Sequence, residues 1–239
     1  MDSILKSVIN DLLEVLTGRR LIKNVDFLGE SRNALIERYA VDTIIDVGAN
    51  RGQWAISLAK NFPNVKIHSF EPLPVIFEYL ELTAQDNKNW NVYNLGVGSK
   101  NKVARINIAS NSGLSSSFLE STNHSIVHPD IRFEKNDAEI EIVTLDNFMC
   151  FGSRNFLKID TGGYENSVLD GISKKLKLIS VIEIESSFTP MYEGEPTHHR
   201  IISRLEDEGF VPISFGNVHR DENGRVWQLD TLLINKELL

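Results

Sequence analysis

The chain of 239 residues contains one cysteine, Cys150. A single thiol excludes an intramolecular disulfide and a zinc site built from cysteines. Low cysteine content is typical of proteins from a reducing compartment, so we expect a cytoplasmic location. With 41% hydrophobic and 24% charged residues, the composition also differs from that of disordered, collagen-like or disulfide-scaffold proteins.

The sequence also lacks a long hydrophobic run and a surplus of basic residues. No stretch approaches the roughly 20 apolar residues that span a bilayer, so we expect no transmembrane segment. Lys and Arg number 25 against 33 Asp and Glu, which gives a formal net charge of −8. Such a chain has no overall attraction for nucleic-acid phosphates, and we expect no nucleic-acid partner.

The first residues are patterned as an amphipathic helix. Apolar residues recur at helical spacing from Ile4 to Leu16. Charges interrupt this pattern every few residues, unlike in a signal peptide. We assign residues 1–40 to an N-terminal helical extension, which either packs on its own domain as a lid or serves a dimer or a membrane surface. The dimer alternative predicts a homodimer formed through this helix.

Residues 41–239 have the pattern of one α/β domain. Apolar strand segments alternate with helical segments, which predicts a mostly parallel, doubly wound sheet of about seven strands with ligands at the strands' carboxyl ends. The region at about 101–146 breaks this pattern. Its polar-apolar alternation at 103–109 and 139–144 predicts a β-hairpin insertion. Asn223-Gly224 predicts a hairpin turn between the last two strands.

A glycine-rich turn, Asp46-Val47-Gly48-Ala49-Asn50-Arg51-Gly52, follows the first strand. The dinucleotide fingerprint G-x-G-x-x-G, aligned on Gly48, would need glycine where the chain has Asn50 and Gln53. The carboxylate of Asp46 would repel a pyrophosphate but suits an ammonium or sulfonium cation. A dinucleotide-dependent oxidoreductase is therefore the less favoured alternative.

Glu71 ends the second strand, about 20 residues beyond the turn, where an acidic side chain accepts hydrogen bonds from ribose hydroxyls. A site for a ribose without a pyrophosphate fits S-adenosylmethionine. The plainer alternative is that Asp46 caps a helix and Glu71 occupies a turn. The presence of both at successive strand ends favours a cofactor site.

Five motifs together resemble the FkbM family of S-adenosylmethionine-dependent methyltransferases. The motifs are Ile44 to Trp54 (IIDVGANRGQW), Phe70-Glu71-Pro72, Leu157 to Glu165 (LKIDTGGYE), Glu183 to Gly194 (EIESSFTPMYEG) and Trp227 to Thr231 (WQLDT). The resemblance implies a seven-stranded class I methyltransferase (Rossmann-like) sheet whose last strand is antiparallel. It also implies methyl transfer, usually to a hydroxyl of a sugar, glycolipid, polysaccharide or polyketide-type acceptor.

The resemblance and the placement at strand ends together select the cofactor-binding residues. These are Asp46, Gly48, Asn50, Gly52, Gln53, Glu71, Gly96 and Asp160. Trp54 is a weaker candidate, because packing explains it equally well.

Three carboxylates are the candidate catalytic residues. Asp160 ends a strand opposite the expected methyl donor, where it is a general base, a partner of the methionine amine or a metal ligand. Glu183 and Glu185 share one face of the next strand. A carboxylate within a parallel sheet is either functional or the satisfied partner of a basic group, and this alternative stays open for Glu183.

The candidate acceptor-binding residues are Ser116 of the serine-rich insertion, Tyr192 and His198. The alternatives are a solvated loop for the serine and inward packing for the tyrosine. No histidine spacing typical of a metal site occurs, and we predict no metal, although Asp160 with Glu183 leaves a Mg²⁺-like site as an alternative.

One position departs from the family pattern. Gly162 stands where the family commonly has glutamine. The missing amide supports a second function, a catalytically weakened, nucleoside-binding assembly protein with a methyltransferase-like fold.

Overall fold

The computed structural model describes residues 26–148 and 150–239. The amphipathic segment from Ile4 to Leu16, and with it the predicted dimer helix, lies outside the described residues. The described part of the extension contains helix α1, Phe27–Arg38, which Asp26 caps by accepting a hydrogen bond from Gly29 N at 2.8 Å. Among the described residues, no helix has the length and apolar character needed to cross a membrane.

Seven strands form the main sheet, in the order β3-β2-β1-β7-β8-β10-β9. Their bounds are β1 Thr43–Val47, β2 Lys66–Phe70, β3 Trp90–Tyr93, β7 Asn155–Ile159, β8 Ile179–Ser187, β9 Phe210–Arg220 and β10 Val226–Asn235. β10 is antiparallel to both of its neighbours, β8 and β9. The remaining pairs are parallel. This order confirms the predicted class I methyltransferase sheet with its last strand antiparallel.

Helices cover both faces of the sheet, because consecutive strand residues point to opposite sides. Ile44 packs in one apolar cluster with Leu28 and Leu58, whereas Ile45 packs in the other with Leu169 and Leu205. The sheet is therefore buried on both faces, as the continuous apolar strands predicted. The remaining helices are α2 Ala55–Asn61, α3 Pro74–Ala84, α4 His124–Val127, α5 Glu165–Gly171 and α6 His198–Asp207, with 3₁₀ turns at Leu145–Asn147, Leu176–Leu178 and Lys236–Leu238.

The insertion forms a second sheet of three strands, where the sequence predicted a two-stranded hairpin. Strands β5, Lys102–Ala109, and β6, Phe133–Val143, pair antiparallel. The third strand, β4, is Gly96–Val97, which pairs parallel with β6. A strand of two residues shows no alternation, so the pattern could not reveal it. Residues 94 and 95 lead from β3, Trp90–Tyr93, into this second sheet.

Candidate active site

A cavity of about 300 Å³ lies at the carboxyl ends of the central strands. Its wall is formed by the turn after β1, the residues after β2 and β7, strand β4, the insertion and the β9–β10 pair. Eight of the residues selected from the sequence line it: Gly48, Asn50, Gln53, Glu71, Gly96, Ser116, Asp160 and the weaker candidate Trp54. The sequence therefore located the cavity.

The turn after β1 runs against the end of β7. Gly48 has φ +82°, and a Cβ at this position would lie 1.7 Å from the carbonyl oxygen of Asp160. A side chain at residue 48 would therefore separate the two chain segments. Gly52 has φ +84°, and a Cβ at this position would lie 3.0 Å from Leu80 Cδ1 and from Trp90 Cη2. Gly52 shapes the turn but does not line the cavity, so the structure does not place it where the predicted cofactor contact would occur.

Glu71 is fixed by two backbone amides. Asn50 N donates to its Oε2 at 2.9 Å, and Leu73 N donates to its Oε1 at 2.8 Å. The side chain lines the cavity yet is only 4% exposed. Burial raises the pKa of Glu71 to about 7, although the two amides act in the opposite direction. Each oxygen keeps a second acceptor position for a ligand hydroxyl.

Apolar side chains line the cavity beside Glu71. A Cβ on Gly96 would lie 2.9 Å from Phe118 Cζ, so glycine is needed where β4 meets the insertion. An apolar compartment next to a buried carboxylate suits the adenine of a nucleoside. The apolar residues are Leu73, Leu95, Val97, Ile106 and Phe118.

Asp46 lies beneath the turn, fully buried, and not in the cavity wall where the sequence placed it. Ser69 Oγ donates to its Oδ2 at 3.0 Å, and Oδ1 has no hydrogen-bond partner among the described residues. Burial raises its pKa to about 6, and the charge of Lys158 opposes that shift. Asp46 is still a strand residue, in register with Lys158, so its side chain points onto a covered face of the sheet. The cation beside it is the chain's own lysine.

Asp160 reaches the cavity and binds Lys158, with Nζ and Oδ2 2.9 Å apart. The Asp160 side chain is 42% exposed, whereas the lysine is buried. Burial acts to lower the pKa of Lys158, but Asp160 and Asp46 outweigh it and raise the pKa above its ordinary value. The sequence analysis missed Lys158. The available signal was the alternation of strand side chains, which places residues 158 and 160 on one face.

Asp230 of β10 and Asn217 of β9 also line the cavity, and neither was selected from the sequence. Asn217 Nδ2 donates to Asp230 Oδ2 at 2.5 Å. Burial and the charges of Asp160 and Glu183 raise the pKa of Asp230 to about 7. Asp230 belongs to the quoted WQLDT motif, which was the signal that could have identified it.

Of the two roles that the sequence left open for Glu183, the structure shows the second: Glu183 is the hydrogen-bonded partner of a basic group. It is buried, accepts two hydrogen bonds from Arg32 at 2.5 and 2.7 Å, and lies outside the cavity lining. Glu185 also lies outside the lining, where Gln228 Nε2 donates to it at 3.3 Å. Burial raises the pKa of Glu185 well above its ordinary value. Neither carboxylate lines the cavity: Glu183 is buried in its ion pair, and Glu185 is half-buried beside Gln228.

Of the predicted acceptor-binding residues, Ser116 alone lines the cavity, and its Oγ accepts from Ala109 N at 3.0 Å. Tyr192 is buried and its hydroxyl donates to Ser115 O at 2.8 Å, which fastens the loop after β8 to the insertion. His198 Nδ1 lies 2.8 Å from Ser186 Oγ, and its ring stacks on Phe188. Tyr192 packs inward, which was its alternative interpretation, and His198, at the start of α6, lies outside the cavity lining.

The described residues contain no group of three or more His, Cys, Asp or Glu side chains arranged to hold a metal ion.

Comparison with known proteins gives one family match. The methyltransferase FkbM domain model matches residues 46–212, more than half of the chain. None of the curated proteins matches the sequence.

Solved structures similar to the chain are low in sequence identity. Precorrin-6y C5,15-methyltransferase from Geobacter metallireducens is 14% identical, with 89% of this chain and 91% of that chain covered and a TM-score of 0.45. Magnesium protoporphyrin IX methyltransferase from Synechocystis PCC 6803, with bound S-adenosylmethionine, is 12% identical, with 96% of each chain covered and a TM-score of 0.46. An rRNA methylase from Streptococcus thermophilus is 12% identical, with 90% and 99% covered and a TM-score of 0.47.

The family match covers the glycine-rich turn, Glu71 and the Lys158–Asp160 pair. The chain belongs to the FkbM methyltransferase family, and its cofactor is S-adenosylmethionine.

Proposed function

We propose that the chain is an O-methyltransferase that methylates a hydroxyl of a sugar, glycolipid, polysaccharide or polyketide-type small-molecule acceptor. The observation that carries the proposal is the composition of the cavity. Its lining combines an apolar compartment and Glu71 with the carboxylates Asp160 and Asp230. The apolar compartment and Glu71 suit the donor nucleoside, and Asp230 suits an acceptor that must lose a proton.

The donor half of the cavity is built to bind S-adenosylmethionine. When bound, this cofactor supplies an electrophilic methyl group on a sulfonium. Glu71 accepts hydrogen bonds from the ribose hydroxyls, and the Gly48 turn lets the backbone approach the ligand closely. Lys158 already holds Oδ2 of Asp160. Of the roles open to Asp160, we therefore favour binding of the methionine ammonium by its other carboxylate oxygen.

The acceptor half supports a hydroxyl as the nucleophile. A neutral hydroxyl is a weak nucleophile and needs a base, whereas a neutral amine does not need one to attack. Asp230, a buried carboxylate in the cavity wall, meets that need. The insertion supplies the outer wall, where Leu114 is 60% exposed and Ser116 offers a polar group. An apolar and hydroxyl-bearing wall suits a sugar-containing or polyketide-type acceptor.

The test combines binding with product analysis. The purified chain should bind S-adenosylhomocysteine in calorimetry, and should transfer labelled methyl from S-adenosylmethionine to members of a panel of glycosides and macrolide aglycones. Mass spectrometry and NMR of the product should locate the methyl group on oxygen. Binding of NAD but not of S-adenosylhomocysteine, or methyl groups found on nitrogen or carbon, would refute the proposal.

A further inference from the structure

Strand β9 contains a bulge at the edge of the cavity. His219 pairs with Gln228 and Gly216 pairs with Asp230, so residues 217 and 218 of β9 face the single residue 229 of β10. Asn217 has φ +46°, a left-handed conformation that is uncommon outside glycine and that asparagine adopts more readily than most other residues. Bulges of this kind redirect a side chain. Here the redirected amide of Asn217 donates to Asp230 Oδ2.

We propose that Asp230 is the general base that takes the proton of the acceptor hydroxyl, and that Asn217 is the positioning residue that orients it. This inference rests on the proposed function. A backbone conformation that costs free energy persists where surrounding structure holds it, commonly at a functional site. In this bulge, the residue with the unfavourable backbone conformation, Asn217, donates to the carboxylate of Asp230 in the cavity wall.

The position of Asp230 suits proton transfer. The residue lines the cavity and is 8% exposed, so its carboxylate is reachable but poorly hydrated. The burial that raises its pKa to about 7 brings the group close to the pH at which a base works best. The charged groups that act on it come from α1 and from the strands packed against it, and they are Arg32, Lys158, Asp160, Glu183 and Glu185.

The other carboxylates near the cavity are less suited to this role. Lys158 holds Asp160 at 2.9 Å, and a proton taken there would break the ion pair. Arg32 holds Glu183 with two hydrogen bonds. Glu185 is not among the residues that line the cavity. Asp230 is held by a neutral amide instead, so it can gain a proton without leaving a buried cation unpaired.

The O–H bond of the acceptor breaks, and its proton moves to the carboxylate of Asp230. The acceptor oxygen uses its electron pair to form the new O–C bond to the methyl carbon, and the C–S electron pair stays on sulfur as a neutral thioether. Asp230 then returns the proton to water, so that it begins the next turnover ionised.

Two measurements test the proposal. The first needs no acceptor: in the chain labelled with ¹³C-aspartate, the carboxyl resonance that disappears in Asp230→Asn should titrate near neutral pH. In Asn217→Gly, which accepts the positive φ and removes the amide, this resonance should titrate at higher pH, because the Asn217 hydrogen bond acts to lower the pKa. An Asp230 resonance that titrates near 4, the ordinary aspartate range, overturns the proposal.

The second measurement uses the hydroxyl acceptor identified by the labelled-methyl screen. Asp230→Asn should lower kcat by about 10²- to 10⁴-fold, leave S-adenosylhomocysteine affinity unchanged, and remove the rise of kcat with pH through neutrality. Asn217→Gly should move that rise to higher pH. The matched control is Asp207→Asn, an exposed site on α6, which should keep wild-type kinetics.

The outcomes separate the two proposals. Circular dichroism and S-adenosylhomocysteine binding show whether each variant is folded. If wild type methylates a hydroxyl and folded Asp230→Asn keeps the same kcat and pH profile, the base assignment alone is overturned. If wild type binds S-adenosylhomocysteine but methylates no hydroxyl, the O-methyltransferase function is overturned and the base assignment falls with it.

Discussion

Arg32 of α1 and Glu183 of β8 form a buried bidentate ion pair, with Nε–Oε2 at 2.5 Å and Nη2–Oε1 at 2.7 Å. Trp54 Nε1 donates to the same carboxylate at 2.9 Å, and the Arg32 guanidinium lies 5.0 Å from the centre of the Trp54 ring. Trp54 lines the cavity. Helix α1 precedes the region matched by the family model, yet its Arg32 contacts the wall of the cavity through Trp54.

Replacing Arg32 should destabilise the fold strongly. Arg32→Ala leaves Glu183 as a buried charge without its partner, which costs about 3–5 kcal/mol in the free energy of unfolding. Urea denaturation measures this change. Arg38→Ala, at an exposed position of the same helix, should cost less than about 1 kcal/mol. Equal losses in the two variants would show that the ion pair is not needed.

Glu71 should control cofactor affinity. Glutamine at this position keeps the shape but cannot accept hydrogen bonds on both ends, so Glu71→Gln should raise the Kd for S-adenosylhomocysteine about tenfold to a hundredfold. Calorimetry measures the Kd. Glu78→Gln, exposed on α3, is the matched control and should bind like wild type. A wild-type Kd in Glu71→Gln would remove this carboxylate from the ribose site.

Cofactor affinity should also depend on pH through Glu71. Its pKa is raised to about 7 in the ligand-free protein. Ribose hydroxyls donate to the ionised form, so binding favours loss of the proton. We expect the Kd for S-adenosylhomocysteine to fall as pH rises from 6 to 8, and this dependence to weaken in Glu71→Gln. A pH-independent Kd in wild type would contradict the assigned contact.

Glu165 should make stability depend on pH. Its Oε1 accepts from Thr161 N and Gly163 N at 2.9 and 3.2 Å, and burial followed by the charge of Glu195 raises its pKa to about 7. Since the folded pKa lies above the unfolded value, the folded state binds this proton more tightly. The stabilisation is complete below about pH 4 and is lost as pH rises through 7.

Urea denaturation of wild type and Glu165→Gln at pH 5 and pH 8 tests this expectation. The stability of wild type relative to Glu165→Gln should be lower at pH 8 by roughly 2–3 kcal/mol. Glu206→Gln, exposed on α6, should show no such change relative to wild type. An equal difference at both pH values would mean that Glu165 does not titrate in this range.

Gly162 bears on whether the chain is a weakened enzyme. It has φ +60°, and a Cβ there would lie 2.8 Å from the carbonyl oxygen of Ser116. Gly162→Ala should therefore lose about 1–3 kcal/mol in the free energy of unfolding. Gly194→Ala, at φ +76° with no atom within 4 Å of the new Cβ, measures the backbone cost alone. The excess loss in Gly162→Ala is the cost of the contact with Ser116.

Gly162→Gln then tests the weakened-enzyme hypothesis directly. The turn is packed for glycine, so we expect the substitution to reduce stability without raising the rate of methyl transfer. Methyl transfer that appears only in Gly162→Gln would show that glycine disables the enzyme.

The sequence predicted those parts of the site that depend on residues close together in the chain. Gly48, Glu71 and Asp160 each follow an apolar strand, and parallel strands bring their carboxyl ends together, so their meeting could be expected. The pairing of Glu183 could not, because Arg32 is 151 positions away in the sequence. Asp230 could not be placed at the cavity without knowing that its strand, β10, lies antiparallel between β8 and β9. The bulge at Asn217 leaves no trace in a hydrophobic pattern.

The insertion has a further consequence for engineering. Ala109 and Phe133 pair directly, so the residues between them start and finish at adjacent points of one sheet. That segment contributes Gly113, Leu114 and Ser116 to the cavity, whereas Glu71 belongs to the main sheet. The segment is thus a cassette with closely spaced ends. Grafting the corresponding stretch from another family member should alter acceptor choice, and a graft that keeps Phe118 should leave the donor affinity that of the recipient.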